Sequence, residues 1–138
     1  MIAFDTDVLI YAVDPSNTLG RRVAALFATD PAIQPQVGVG STLLIPEALI
    51  KPVRHTIADE VMVLWSLLAR LHLLPFDGAT AIKAMALGAH YGLRAPDAVH
   101  LATAVQASAD QFLTNNRKDF PKTILEIDII YPNELPEP

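Results

Sequence analysis

Apolar residues recur along this chain in two rhythms: short runs, and longer stretches spaced at three and four. Residues 1–4 read as a first strand ending at Asp5, and residues 6–13 as a short helix carrying Val8, Leu9, Tyr11 and Ala12. Asp14-Pro15-Ser16-Asn17 is a turn by composition. A helix begins at Thr18, with Val23, Leu26 and Phe27 on its apolar face and Arg21 and Arg22 exposed, and Asp30-Pro31 stops it. Residues 37–40 read as a second strand. Ser41 or Thr42 caps a helix over residues 43–50, in which Pro46 fits only near the start and which Pro52 bends or ends. Residues 58–71 make the plainest amphipathic helix, with Val61, Leu64, Trp65, Leu68 and Leu71 at helical spacing. A third strand follows at 73–76. Asp77-Gly78 leads into a helix from about Ala79 to His90, which Gly92 is placed to end. Pro96 suits the first position of the next helix, whose buried face includes Leu101, Ala104 and Val105. Residues 111–113 are a fourth strand and 127–130 a last one. The acidic, Pro-rich end from about 131 reads as a loose tail.

Strands alternating with helices imply an α/β fold, a mostly parallel sheet covered by helices, in which ligands bind at the carboxyl ends of strands. Asp5 lies at such an end and Thr114-Asn115-Asn116 at another. Glu47 and Asp97 fall near helix starts, on the same edge if the connections alternate regularly. At 138 residues the chain predicts one domain with one core.

Charge changes this picture little. The net charge of -5 argues against nucleic acid, but four acids (Glu126, Asp128, Glu134, Glu137) crowd the last 13 residues. Residues 1–125 carry a net charge of only -1. With no cysteine, there is no disulfide framework, thiolate nucleophile or cysteine zinc site. The N-terminus lacks the basic start and cleavage site of a signal peptide, and no apolar run reaches membrane-span length; a soluble cytoplasmic protein is expected.

There is no glycine-rich phosphate loop and no G-x-S-x-G elbow, and His55, His72, His90 and His100 have no zinc-site spacing. What remains is Asp5, Asp7, Glu47 and Asp97, acids set among apolar residues. Gathered at one sheet edge they suit a hard divalent ion and phosphodiester chemistry. Each also has a structural role open to it. Asp97 suits a helix N-terminus, Asp5 can cap a helix, and Glu47 can pair with Lys51 at i+4.

Together, Asp5-Thr6-Asp7-Val8-Leu9, Pro46-Glu47-Ala48-Leu49, residues 91–104 around Arg94-Ala95-Pro96-Asp97-Ala98, and residues 109–120 around Thr114-Asn115-Asn116 resemble the motifs of PIN-domain ribonucleases. The VapC-type toxins of bacterial toxin–antitoxin pairs are the nearest form. The resemblance covers residues 1 to about 131. It implies a PIN-like three-layer sandwich and an endoribonuclease dependent on Mg2+ or Mn2+, giving a 5′-phosphate and a 3′-hydroxyl from cellular RNA such as tRNA. It makes Asp5, Glu47 and Asp97 metal ligands and puts Asn116 at the family's fourth acidic position, where its neutral oxygen favours one ion over two. Thr6, Asp7, Thr114 and Asp119 support the site; Asp119 either helps through a water or holds its loop against Arg117 or Lys118. Lys51, Arg54, Arg94, Arg117 and Lys118 flank the motifs as candidate phosphate contacts. His100, one turn after Asp97, reads as packing or hydrogen-bonding within the domain. Met62 and Trp65 read as core or as a self-association face. The resemblance also implies a homodimer and a VapB-type antitoxin, with no membrane partner. Two rivals stand beside it: a catalytically weak PIN-type binding module in a repressor complex, and a small-molecule metal-dependent phosphatase.

Overall fold

The first apolar run forms strand β1 (Ile2–Phe4), and the computed structural model, which describes residues 1–138, places it mid-sheet. Strands β2 (Gly38–Ser41), β3 (Leu71–Leu74), β4 (Gln111–Leu113) and β5 (Asp128–Ile130) complete the sheet in the order β3-β2-β1-β4-β5. Every neighbouring pair is parallel, with Ala3 level with Val39 and Phe112, and Phe112 level with Ile129. Successive strand residues face opposite sides. Ala3, Val39, Phe112 and Ile129 therefore enter one apolar cluster, and Phe4, Leu113 and Ile130 the other. The expected single core is thus two, one on each face, because a sheet covered by helices on both sides separates them.

Helices α1 (Thr6–Val13), α2 (Thr18–Ala25), α3 (Leu44–Arg54) and α4 (Ala58–Leu68) bury Val8, Leu9, Val23, Leu44, Leu49, Leu64 and Leu68 against the Phe4 side. Helices α5 (Gly78–Tyr91) and α6 (Ala95–Gln106) cover the other face. In α6 every residue from Ala98 to Ala104 is buried, so this helix is enclosed rather than amphipathic. Gly92 ends α5 at φ 69°, a left-handed cap that glycine adopts without strain. No helix is long and apolar enough to cross a membrane.

Several boundaries differ from the pattern, each for a local reason. Helix α2 stops at Ala25, where Leu26 and Phe27 donate to the Val23 and Ala24 carbonyls in a tightened turn. Arg22 is half-buried, not exposed, and donates to the carbonyls of Asn133 and Leu135. Helix α3 runs through the buried Pro52 to Arg54, the ring forfeiting one interior hydrogen bond. Its N-cap is Leu43, with no side-chain bond; the Ser41 hydroxyl accepts from Leu43 N instead. Helix α4 ends at Leu68 because Leu71 already pairs with Gly38 in β3. Its buried residues are Leu64, Leu67 and Leu68, leaving Trp65 48% and Met62 70% exposed, so neither belongs to the core.

The C-terminal segment is not loose. Tyr131, Pro132 and Leu135 are buried, and Pro132–Glu134 forms a 3-10 turn. Tyr131 Oη donates to the Phe120 carbonyl at 2.8 Å, and Lys122 Nζ bonds both Glu134 oxygens at 2.5 and 2.7 Å.

From β1 the chain steps outward through β2 to β3, then returns across β1 to β4 and β5. The order reverses between β1 and β4, and a crevice opens beyond the carboxyl ends of strands at such a reversal.

Candidate active site

The carboxylates gather at that reversal. Asp5 follows β1 directly and is the N-cap of α1, an extended residue whose Oδ1 accepts from Thr6 N at 2.8 Å. Thr114, just past β4, donates its hydroxyl to Asp5 Oδ2 at 2.7 Å and accepts from Asn116 N at 3.0 Å. Asp5 is only 5% exposed. Burial raises its pKa above the usual carboxylate value, against the pull of His100 and its two hydrogen bonds. The capping role is therefore real, and it fixes the carboxyl group at the reversal.

Asp7, in the first turn of α1, accepts from Asn115 N at 3.0 Å through Oδ2, while its Oδ1 is buried without a partner. Burial, then repulsion from Asp5, pushes its pKa up to about 7. Asp97 enters in the first turn of α6, behind Pro96, where the helix N-terminus favours a negative charge. Its Oδ2 is also buried and unpartnered. Burial is again the first cause of its raised pKa, followed by Asp5 and Asp119; Arg94 and His100 pull the other way. Three carboxyl groups thus share one site, and two of their buried oxygens have no protein donor.

Glu47, in the first turn of α3, is held differently. Its Oε1 accepts from Thr6 Oγ1 at 2.7 Å and is bonded by His100 Nε2. The His100 hydrogen bond is the main cause of its lowered pKa, with burial opposing and Thr6 assisting. The expected Glu47–Lys51 pair does not form; His100 and Thr6 take its place. His100 is the residue that sequence reasoning undervalued. It does hydrogen-bond within the fold, as read, but to an acid of the site. The available signal was its position one turn beyond Asp97.

Asn116 and Asp119 close on each other. Asn116 Nδ2 donates to Asp119 Oδ2 at 2.9 Å, and Asp119 N donates to Asn116 Oδ1 at 3.2 Å. Asp119 holds its loop through Asn116, not through Arg117 or Lys118. Lys51, Arg54, Arg94 and Lys118 are exposed around these motifs. Arg117 is also exposed, but it bonds Asn133 Oδ1 at 2.6 Å and lies 4.2 Å over the Tyr131 ring.

No group of three or more His, Asp or Glu side chains is arranged to hold a metal ion as it stands. The donor chemistry nonetheless fits a hard divalent cation. Asp7 Oδ1 and Asp97 Oδ2 are buried carboxylate oxygens without donors, and Asp5, Asp7 and Asp97 repel one another. A cation relieves both conditions.

A family model described as PIN domain matches residues 2–124. No match is found among curated protein sequences. Among solved structures, a toxin–antitoxin complex from Klebsiella pneumoniae contains a chain 26% identical to this one, with a TM-score of 0.72, covering 97% of this chain and 98% of that chain. FitAcB from Neisseria gonorrhoeae is similar at 22% identity and a TM-score of 0.72, over 98% of this chain and 100% of that one. VapBC2 from Rickettsia felis, bound to a DNA fragment from its promoter, matches at 18% identity and a TM-score of 0.66, over 95% of this chain and 98% of that chain. The latter two likenesses, under 25% identical, concern the fold.

Proposed function

The chain belongs to the PIN-domain family, and from that premise we propose that it is a metal-dependent endoribonuclease, the toxin of a toxin–antitoxin pair. The observation that carries this reading is the gathering of Asp5, Asp7 and Asp97 at the sheet reversal, with two buried carboxylate oxygens lacking any donor. Structural carboxylates are ordinarily satisfied when buried, so orphaned oxygens support a cation-binding role. The likeness to the Klebsiella complex supports an antitoxin as partner.

Asp5, Asp97 and Glu47 are the residues that would hold Mg2+ or Mn2+. Such an ion, when bound, supplies positive charge against a scissile phosphodiester and favours attack by water. The chain's own groups set the rest. Thr114 and the Thr6 amide hold both oxygens of Asp5, so its orientation is fixed before any ligand arrives. Thr6 and His100 hold Glu47. The α6 N-terminus favours the ionised form of Asp97. Lys51, Arg54, Arg94 and Lys118 are free to take phosphates of a polyanionic strand and offset the acidic balance of the chain. A small-molecule phosphatase needs a phosphate cradle, and no glycine-rich loop supplies one.

One observation favours the binding-module alternative: both ends of the Asn116 amide are committed to Asp119, so the fourth family position is occupied within its loop. Activity decides between them. Purified protein with Mg2+ or Mn2+ is expected to cut structured RNA such as tRNA, and chelation to stop it. Asp97→Asn is expected to lower the rate at least 100-fold, on the order seen when a charge-stabilising group is lost, with an unchanged circular dichroism spectrum. Intact RNA with both metals across tRNA and total RNA would favour the binding module. Growth arrest on expression, relieved by Asp5→Ala, tests the toxin role separately.

A further inference from the structure

His100 is an imidazole inside an otherwise apolar run: Ala98, Val99, Leu101 and Ala102 are all buried around it in α6, and it is itself 3% exposed. A polar ring so placed needs a partner. It finds one in Glu47, reached from a different helix, with Nε2 also 3.2 Å from Thr6 Oγ1. Its other nitrogen, Nδ1, is buried with no partner. A carboxylate oxygen only accepts, so Nε2 is the donor in this bond. Thr6 Oγ1 donates to the same atom, Glu47 Oε1. Two donors on two elements therefore converge on a single oxygen, and Oε2 takes no hydrogen bond from the protein. A glutamate without such anchors samples several rotamers. Here one carboxyl oxygen is pinned and the other is left available.

We propose that His100 is a positioning residue for the cation site: with Thr6 it fixes Glu47 through Oε1 and leaves Oε2 free for a divalent ion. The inference rests on the functional reading above and deepens it. His100 contacts neither substrate nor ion; it acts through Glu47, as outer hydrogen bonds do around many metal ligands.

The test is Mn2+ binding to the full chain, prepared metal-free, by titration calorimetry and by the electron paramagnetic resonance of free Mn2+. Two substitutions discriminate. His100→Gln places an amide N–H where Nε2 stands, while His100→Asn is one methylene shorter and stops short of Glu47. Both are buried amides, so any general penalty for losing the imidazole falls on both, and melting curves of the metal-free variants report that penalty separately. Affinity close to wild type for His100→Gln and about 10- to 100-fold weaker for His100→Asn is the expected result. Wild-type affinity in His100→Asn overturns the proposal, as does equal loss in both variants. A wild-type chain that binds no Mn2+ instead overturns the functional reading, and this inference with it.

Discussion

Asp7 is a carboxyl group that the fold buries without neutralising. One oxygen has the Asn115 amide and the other has nothing. Its pKa, raised by burial and by Asp5 to about 7 from 3.8, means that the folded chain holds this proton more tightly than the unfolded one. Stability from this group is therefore complete below the unfolded value, declines as pH rises, and is lost above about 7. Asp7→Asn keeps the acceptor for Asn115 and removes the charge. In metal-free protein the variant is expected to melt several degrees higher than wild type at about pH 8, and the difference is expected to vanish near pH 4. A gap that persists at low pH would show that charge is not the cause. Saturating Mn2+ is expected to narrow the gap at the higher pH, since a ligand that binds only the folded state stabilises it.

Between elements, α2 lies close on α1 at Gly20. Gly20 lies inside α2, where alanine would ordinarily be preferred by nearly 1 kcal/mol. A Cβ at this position would stand 1.9 Å from the Tyr11 carbonyl oxygen and 2.5 Å from its carbon. Backbone cannot yield as a side-chain tip can, so the sign reverses. Gly20→Ala is expected to destabilise the chain by about 1–3 kcal/mol, read as a lower urea midpoint with an unchanged slope. Helix α1, against which Gly20 packs, carries Thr6 and Asp7 and is capped by Asp5, so the same variant is expected to weaken Mn2+ binding. Along α3 a different compromise holds: Pro52 forgoes a backbone hydrogen bond while its ring packs in the buried face.

Chain ends and chain middle are joined by the last residues. Arg22 in α2 reaches the carbonyls of Asn133 and Leu135, Lys122 reaches Glu134, and Tyr131 reaches Phe120. Phe120 in turn closes the loop that holds Asn116 and Asp119. Leu135 is buried in the same cluster as Phe4 and Val23. Leu135→Ala is expected to cost about 2 kcal/mol or more, measured by chemical denaturation. Were the segment a loose tail, the variant would be silent. The Glu134 pKa, lowered mainly by Lys122 and then by the Tyr131 amide, adds that this clasp is present above the ordinary glutamate range and weakens as pH falls through it.

Much of this was legible in the order of residues. The strand–helix alternation specified a parallel sheet, and the apolar runs at β1 and β4 and the Pro96 and Gly92 signals marked their elements closely, because these depend on local propensity and on side-chain period. The acids could be named for the same reason: a charge in an apolar run is visible without coordinates. Contacts between distant segments were not legible. Glu47 had an attractive local partner in Lys51, and only the meeting of the α1, α3 and α6 side chains at the carboxyl edge of the sheet supplied His100 and Thr6 instead. Trp65 matched the helical stripe, yet α4 buries Leu64, Leu67 and Leu68 because its neighbours lie on that side. The terminal residues looked disposable by composition, and their anchors are Arg22 and Phe120, more than ten residues away along the chain. Local sequence determines which elements form and which side chains carry charge. Which charge meets which donor depends on where remote segments are brought together, and that the tertiary fold alone decided.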